Sequence, residues 1–159
     1  MSLIFRLCNE NDIEVIYSMS NDPTVRKNAF NSSLIPYEDH CKWYNESLMN
    51  KNRIMYIVEK DKAVIGQIRL DKQENKGIIS YSIEKKNRSK GYGKEILGLI
   101  KSEARISGIT ILEGLVKKDN MASRKAFISN GFSESEDNSY FKYTYMLKGG
   151  NEVEINKNS

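Results

Sequence analysis

Apolar residues along the chain recur with two different periods, and the switches between them mark out its elements. Residues 3–7 alternate weakly and predict a first strand. Asn11 or Asp12 can cap a helix whose Ile13, Ile16 and Tyr17 share a face, and Asn21-Asp22-Pro23 stops it. Residues 24–33 are polar and without a clear period, so they predict a loop, and a loop of that length in a compact domain is more often a working surface than filler. Pro36 starts a second helix, with Tyr37, Cys41, Tyr44 and Leu48 on its core stripe. His40, Trp43 and Ser47 form a neighbouring stripe that can face a cleft. Residues 55–59 and 64–70 predict strands joined by Lys60-Asp61-Lys62, a hairpin-length link. In the second of these strands Gln67 and Arg69 alternate with Ile68 and Leu70, which puts a guanidinium on one face.

A polar turn over 71–76 returns the chain into a strand at 77–83, rich in β-branched and aromatic residues. Gly93, Ile96, Leu97, Ile100 and Ala104 then recur at three- and four-residue steps and predict an amphipathic helix that ends at Gly108. Residues 109–116 form another strand, and 117–120 turn into a helix running to Asn130 with Gly131 as its left-handed C-cap. Phe132 opens a further strand, and 140–147 closes the fold with Phe141, Tyr143, Tyr145 and Leu147 on one face. Residues 1–148 read as one domain, followed by a polar tail at 149–159 that is expected to be disordered.

The chemistry concentrates between the strand at 77–83 and the helix after it. Arg88-Ser89-Lys90-Gly91-Tyr92-Gly93-Lys94 is a basic, glycine-punctuated turn at a helix N-terminus. The first helical N–H groups lack intrahelical partners and carry the positive end of the dipole, and glycine lets a backbone approach phosphate oxygens. A compact diphosphate is the ligand such a turn suits. The Walker pattern is absent, since no Gly-Lys-Ser/Thr closes a four-residue spacer, and the dinucleotide fingerprint lacks its third glycine. An ordinary basic strand-to-helix turn is the plain alternative.

Composition narrows the field further. Hydrophobic residues at 39% and charged residues at 29% fit a soluble globular domain. No apolar run is long enough for a transmembrane helix and the first residues make no signal peptide, so a cytoplasmic protein without membrane partners is expected. Cys8 and Cys41 make neither a metal spacing nor a disulfide framework, and no metal site is expected. The net charge of +4 is modest and the lysines are scattered, which argues against a nucleic-acid surface.

Arg88-x-x-Gly91-x-Gly93 resembles the acetyl-CoA diphosphate loop of the GCN5-related N-acetyltransferases, the GNAT family. The segment from Asn120 to Gly131-Phe132 is similar to a second motif of that family, and the order of elements agrees over residues 3–148. The resemblance implies an α/β (α+β) fold with a mixed, mostly antiparallel sheet of about seven strands and about four helices, splayed at the strand before the loop. It implies acetyl-CoA as co-substrate, with pantetheine inserted like an extra strand against Ile83 and Lys85. Amides of Arg88, Ser89, Lys90, Gly91, Tyr92, Gly93 and Lys94 would hold the diphosphate. Asn120 would contact the pantetheine arm, with Ser123, Arg124 and Lys125 toward the nucleotide; Asn120 also reads as a helix cap. The family leaves room for a homodimer.

One position departs from the pattern. Many family members carry a tyrosine where this chain has Phe127, and phenylalanine cannot protonate the leaving thiolate. Water, Ser123 or another tyrosine (Tyr140 or Tyr143, which also read as core) takes that part, or the thiolate leaves unaided. The strand at 78–83 holds no carboxylate for a base; Ser80, Tyr81 and Ser82 can instead hold a water chain, and His40 is the other candidate.

Residues 21–43 are similar to a subgroup that acetylates nucleotide-linked amino-sugars for pseudaminic acid and spore-coat polysaccharide pathways, through Asn21-Asp22, Arg26 and the helix carrying His40. That likeness implies Arg26 and His40 on the nucleotide diphosphate, with Asn28 nearby, and Phe30, Trp43 and Tyr81 against a deoxysugar. Arg69 would pair an acid or fix the cleft wall. A peptide or ribosomal-protein acetyltransferase would need an open acidic channel, and an aminoglycoside enzyme an acidic cleft that Arg26 and Arg69 oppose. A CoA-binding module without catalysis would explain Phe127.

Overall fold

Two tight hairpins build the first half of the sheet in the computed structural model, which describes residues 2–147. Strand β2 (Arg53–Lys60) turns through Asp61 and Lys62, both at positive φ, into β3 (Ala63–Gln73). Both central residues in that conformation match the right-handed twist of the flanking strands. β3 turns in the same compact way at Glu74–Asn75 into β4 (Lys76–Ile83), so the polar stretch at 71–76 lies mostly within the strands. Strand β1 (Ile4–Leu7) pairs antiparallel with β2 along the outer edge.

Beyond β4 the chain runs through α4 (Tyr92–Ile106), β5 (Ile111–Lys117), α5 (Met121–Ser129), β6 (Ser133–Glu136) and β7 (Tyr140–Met146). The seven-stranded sheet has the order β1-β2-β3-β4-β5-β7-β6, and β4–β5 is its one parallel pair. Ile96, Leu97, Ile100 and Ala104 of α4 are fully buried, as their spacing predicts, and pack with Ile68, Leu70, Leu112 and Phe127 in the main core. Each of the leucine and isoleucine side chains contributes about 1.5–3 kcal/mol on burial. No helix among the described residues is long and apolar enough to cross a membrane.

The other face of β2 and β3 is covered by α1 (Ile13–Ser20) and α3 (Tyr37–Met49), with Ile16, Met19, Tyr44, Met55 and Ile57 between them. Here the structure corrects two expectations. Residues 23–28 form a short helix, α2 (Pro23–Asn28), rather than loop, which brings the α-helices among the described residues to five. Asp22 caps it by accepting from the amides of Thr24 and Val25, and Pro23 supplies a first-turn φ. In α3 the buried positions are His40, Tyr44 and Ser47, whereas Tyr37 and Leu48 are exposed. The polar members of that stripe are satisfied inside: Ile13 O accepts from His40 Nε2 at 2.8 Å, and Ser47 Oγ accepts from Arg53 at 2.8 Å. Residues 149–159, read as tail, lie outside the described residues.

The sheet opens at its middle. β4 pairs with β5 only from Lys76↔Ile111 to Ile79↔Gly114. From there β4 follows β3 and β5 follows β7, leaving residues 80–83 and 115–117 facing each other across a gap.

Candidate active site

The gap leads into a cleft of about 690 Å³ that passes through the sheet. At one end lies the loop at 88–91. Ser89 (φ 63) and Gly91 (φ 84) are both left-handed, a bend that turns the chain sharply into α4. The first turn of α4 has no side-chain cap, so its amides are presented to the cleft side. Gly93 lies beside Tyr81, and a Cβ there would just touch the Tyr81 hydroxyl at 3.4 Å. An uncapped helix start beside an unpaired strand edge fits a diphosphate followed by an extended arm with amide groups.

Alternation along β4 sends its side chains to opposite sides of the opening. Tyr81 points toward α4 and α5, where its hydroxyl donates to Ser123 Oγ at 3.0 Å. Burial raises its pKa, with the Ser123 hydrogen bond acting in the opposite direction. Asn120 caps α5 by accepting from Ser123 N at 3.3 Å, so the capping role read from the sequence holds. Phe127 lies beneath β5, stacked on Tyr143 with ring centroids 5.0 Å apart. Gly114 makes room for it, since a Cβ at that position would overlap the Phe127 ring.

Ser80 and Ser82 point the other way. Gln67 Nε2 donates to Ser82 Oγ at 3.0 Å and Arg69 Nη2 to Ser80 Oγ at 3.3 Å. Arg69 also donates to Asp71 through Nε at 3.1 Å, and its guanidinium lies 5.4 Å from the centroid of Trp43. Burial lowers the Arg69 pKa, countered by the charge of Asp71, yet an arginine stays protonated at neutral pH. Over this side runs the segment 22–35. Arg26 staples it internally, donating to the carbonyls of Ser20, Asn31 and Ser33, and burial lowers its pKa. Asp22 accepts from Arg88 at 2.8 Å at one end, and Lys27 O accepts from Lys117 at 3.0 Å toward the other, where Phe30 meets Tyr140 edge-on.

A family model described as the acetyltransferase (GNAT) domain matches residues 2–133. The chain belongs to the GNAT acetyltransferases. Acetyl-CoA is its co-substrate. Solved structures agree in fold. The spermidine N-acetyltransferase from Vibrio cholerae, in complex with CoA and spermine, matches with a TM-score of 0.83 and 15% identity over 92% of this chain and 96% of that one. The RimL ribosomal L7/L12 α-N-protein acetyltransferase with coenzyme A gives 0.79 and 14%, over 92% and 95%. The yncA protein of Salmonella typhimurium, with its cofactor acetyl-CoA, gives 0.76 and 16%, over 93% and 95%. No curated protein matches the chain in sequence.

In this GNAT acetyltransferase the cleft is lined by Ser80, Tyr81, Ser82, Ile83, Arg88, Ser89, Gly91, Tyr92, Gly93, Lys94, Asn120, Ser123 and Phe127 of the residues expected there. Arg26, Asn28, Phe30, Trp43 and Arg69, expected on the substrate, line it too. Other candidates sit elsewhere. His40 is buried in the small core, and because a carbonyl only accepts, its Nε2 carries the proton bound to Ile13 O; it reaches no acceptor. Tyr143 is fully buried and donates to Glu134 at 2.6 Å, which removes it as an acid for the thiolate. Arg124 packs over Phe141 and donates to Lys118 O, and Lys85 and Lys90 are not on the cleft wall. The Asp22–Arg88 pair joins residues 66 apart and has no signal in the sequence. Gln67 had one, its alternation with Arg69.

Proposed function

We propose that this GNAT acetyltransferase moves the acetyl group of acetyl-CoA to the primary amine of a nucleotide-linked amino-sugar, by direct attack on the thioester in the cytoplasm. Residues 1–148 form the catalytic domain. The amides of 88–94 hold the diphosphate, the open edge at Ile83 receives the pantetheine arm, and Asn120 and Ser123 border it. The acceptor enters from the side of Phe30, Trp43 and Arg69, where rings pack on a sugar face.

One observation carries the acceptor reading. Arg26, Arg69, Arg88, Lys94 and Lys125 line the cleft, and among the described residues no Asp or Glu does. A polyamine finds no carboxylate on this wall to pair with. An acceptor that carries phosphate beside its amine is drawn to such a surface. Arg26, spent on backbone carbonyls, shapes the acceptor wall, and Arg69 is left as the cation nearest the sugar side. The test is thiol release from acetyl-CoA with UDP-, CMP- and dTDP-linked amino-sugars, spermidine and N-terminal peptides as acceptors. Turnover is expected with at least one sugar nucleotide and not with spermidine. Turnover confined to peptides or polyamines overturns the assignment.

A further inference from the structure

The acceptor side of the cleft lacks a proton acceptor. No Asp or Glu lines the cleft among the described residues, and four carboxylates of the surrounding elements are engaged elsewhere. Asp22 is held by Arg88 and by the first amides of α2. Asp71 lies between Arg53 and Arg69, with an oxygen on each. Glu113 is bracketed by Lys76 at 3.0 Å and Lys142 at 3.5 Å. Glu134 accepts from Tyr143, with Arg124 at 3.9 Å. His40 is turned into the core.

Charge is present instead, and of one sign. Arg69 on β3 and Arg53 on β2 share the single carboxylate of Asp71, and both guanidiniums lie 5.4 Å from the Trp43 ring of α3. Two cations and one anion leave this cluster with an excess positive charge under the acceptor wall. From β4 the group facing Arg69 is the neutral Ser80 hydroxyl, and the charged residue that α2 contributes to the same cleft is Arg26, another cation. A positive field disfavours any second cation placed in it.

We propose that Arg69, through the excess charge of its cluster with Arg53 and Asp71, makes the enzyme bind its acceptor as the neutral amine, which has shed its ammonium proton to solvent before entry. No side chain then serves as general base. The amine nitrogen attacks the thioester carbonyl, the N–C bond forms, the C–S bond breaks and coenzyme A departs as thiolate. The proton released from nitrogen ends on that sulfur, through water held along Ser80 and Ser82. Amide and thiol balance amine and thioester. This deepens the acceptor reading above and rests on it: the preferred acceptors are amines of low basicity. At pH 7.5 an amine of pKa about 8 is roughly one-quarter neutral, whereas an alkyl amine of pKa about 10.4 is neutral only about one part in a thousand.

The test is calorimetric binding to the enzyme saturated with coenzyme A, between pH 6.5 and 9. The probes are a UDP-linked 4-amino-4-deoxysugar and its 4-hydroxy counterpart. The amine is expected to lose about tenfold in affinity per pH unit below its own pKa, while the hydroxyl compound stays flat. Arg69→Gln is expected to reduce that slope and Arg69→Lys to keep it, with the hydroxyl compound again as reference for any general loss. An amine that binds equally at both ends of the range overturns the inference, as does an Arg69→Gln slope equal to that of the unmodified enzyme. Should neither probe bind at any pH, the amino-sugar reading fails and takes this one with it.

Discussion

Gly114→Ala adds one methyl group at the base of the open slot, and the structure gives it nowhere to go. The new Cβ would overlap the Phe127 ring. That ring cannot retreat, because Tyr143 stacks against it at an interplanar angle of 8° and Phe132 closes on it edge-first at 5.0 Å. Overpacking of this kind costs about 1–3 kcal/mol. Replacing glycine by alanine within a strand returns about 0.5–1 kcal/mol of backbone entropy, so a net loss of about 1–2 kcal/mol is expected. For a domain of this size each kcal/mol moves Tm by about 2–4 °C, which puts the drop at roughly 2–8 °C. Trimming the obstacle should remove the penalty. In Phe127→Leu the alanine is tolerated, and the double-mutant cycle is expected to show coupling of about 1 kcal/mol. Thermal and urea unfolding of the four proteins measures this. A Gly114→Ala protein as stable as the parent, or strict additivity with Phe127→Leu, would refute the reasoning.

Phe127→Tyr meets the same wall: the ring presents Cζ to β5, so a hydroxyl there strikes the strand, and the variant is expected to lose about 1–3 kcal/mol in urea unfolding without gaining turnover. Asp22→Asn keeps a capping side chain but loses the charge that holds Arg88. Burial alone would raise the Asp22 pKa, yet Arg88 and the amides of Val25 and Thr24 hold it below the usual range. The pair therefore stabilises the fold above about pH 4, and the advantage of the parent over Asp22→Asn in Tm should be constant from pH 5 to 8 and vanish as acid protonates Asp22. A difference that grows on acidification would contradict this. Gly91→Val forces a branched residue to a φ of 84° where nothing lies within 4 Å, so its cost is conformational, about 1–2 kcal/mol. The same change disturbs the start of α4, and calorimetry should show acetyl-CoA affinity down at least about tenfold.

The loop at 88–94 and the stripe of α4 were legible because each is a local pattern: glycines where the backbone must bend, and apolar residues at helical spacing. The hairpins were visible for the same reason. What escaped depends on partners distant in sequence. His40 and Ser47 are polar, so hydropathy put them on an outer stripe of α3, but Ile13 O and Arg53 satisfy them inside. Tyr143 offered a plausible phenol until Glu134 and Phe127 were seen to surround it. The helix α2 was misread as loop because six residues carry too little periodicity, although Asp22-Pro23 was a start signal as well as a stop. Arg26 looked like a ligand for phosphate, but the fold commits its Nε and Nη1 donors to the carbonyls of Ser20, Asn31 and Ser33.

Between its two halves the sheet is stitched by four residue pairs, Lys76–Ile79 against Ile111–Gly114. Past that seam residues 80–83 stay paired to β3 and 115–117 to β7, while the edges that face each other form no ladder between them. In the proposed binding mode, a co-substrate whose arm carries amides would bridge the two halves of the sheet as well as deliver an acetyl group. Mass action fixes the size of the repair: at a hundredfold excess over Kd, occupancy adds about 2.7 kcal/mol to the folded state. Removal of acetyl-CoA would then withdraw that support from the folded state.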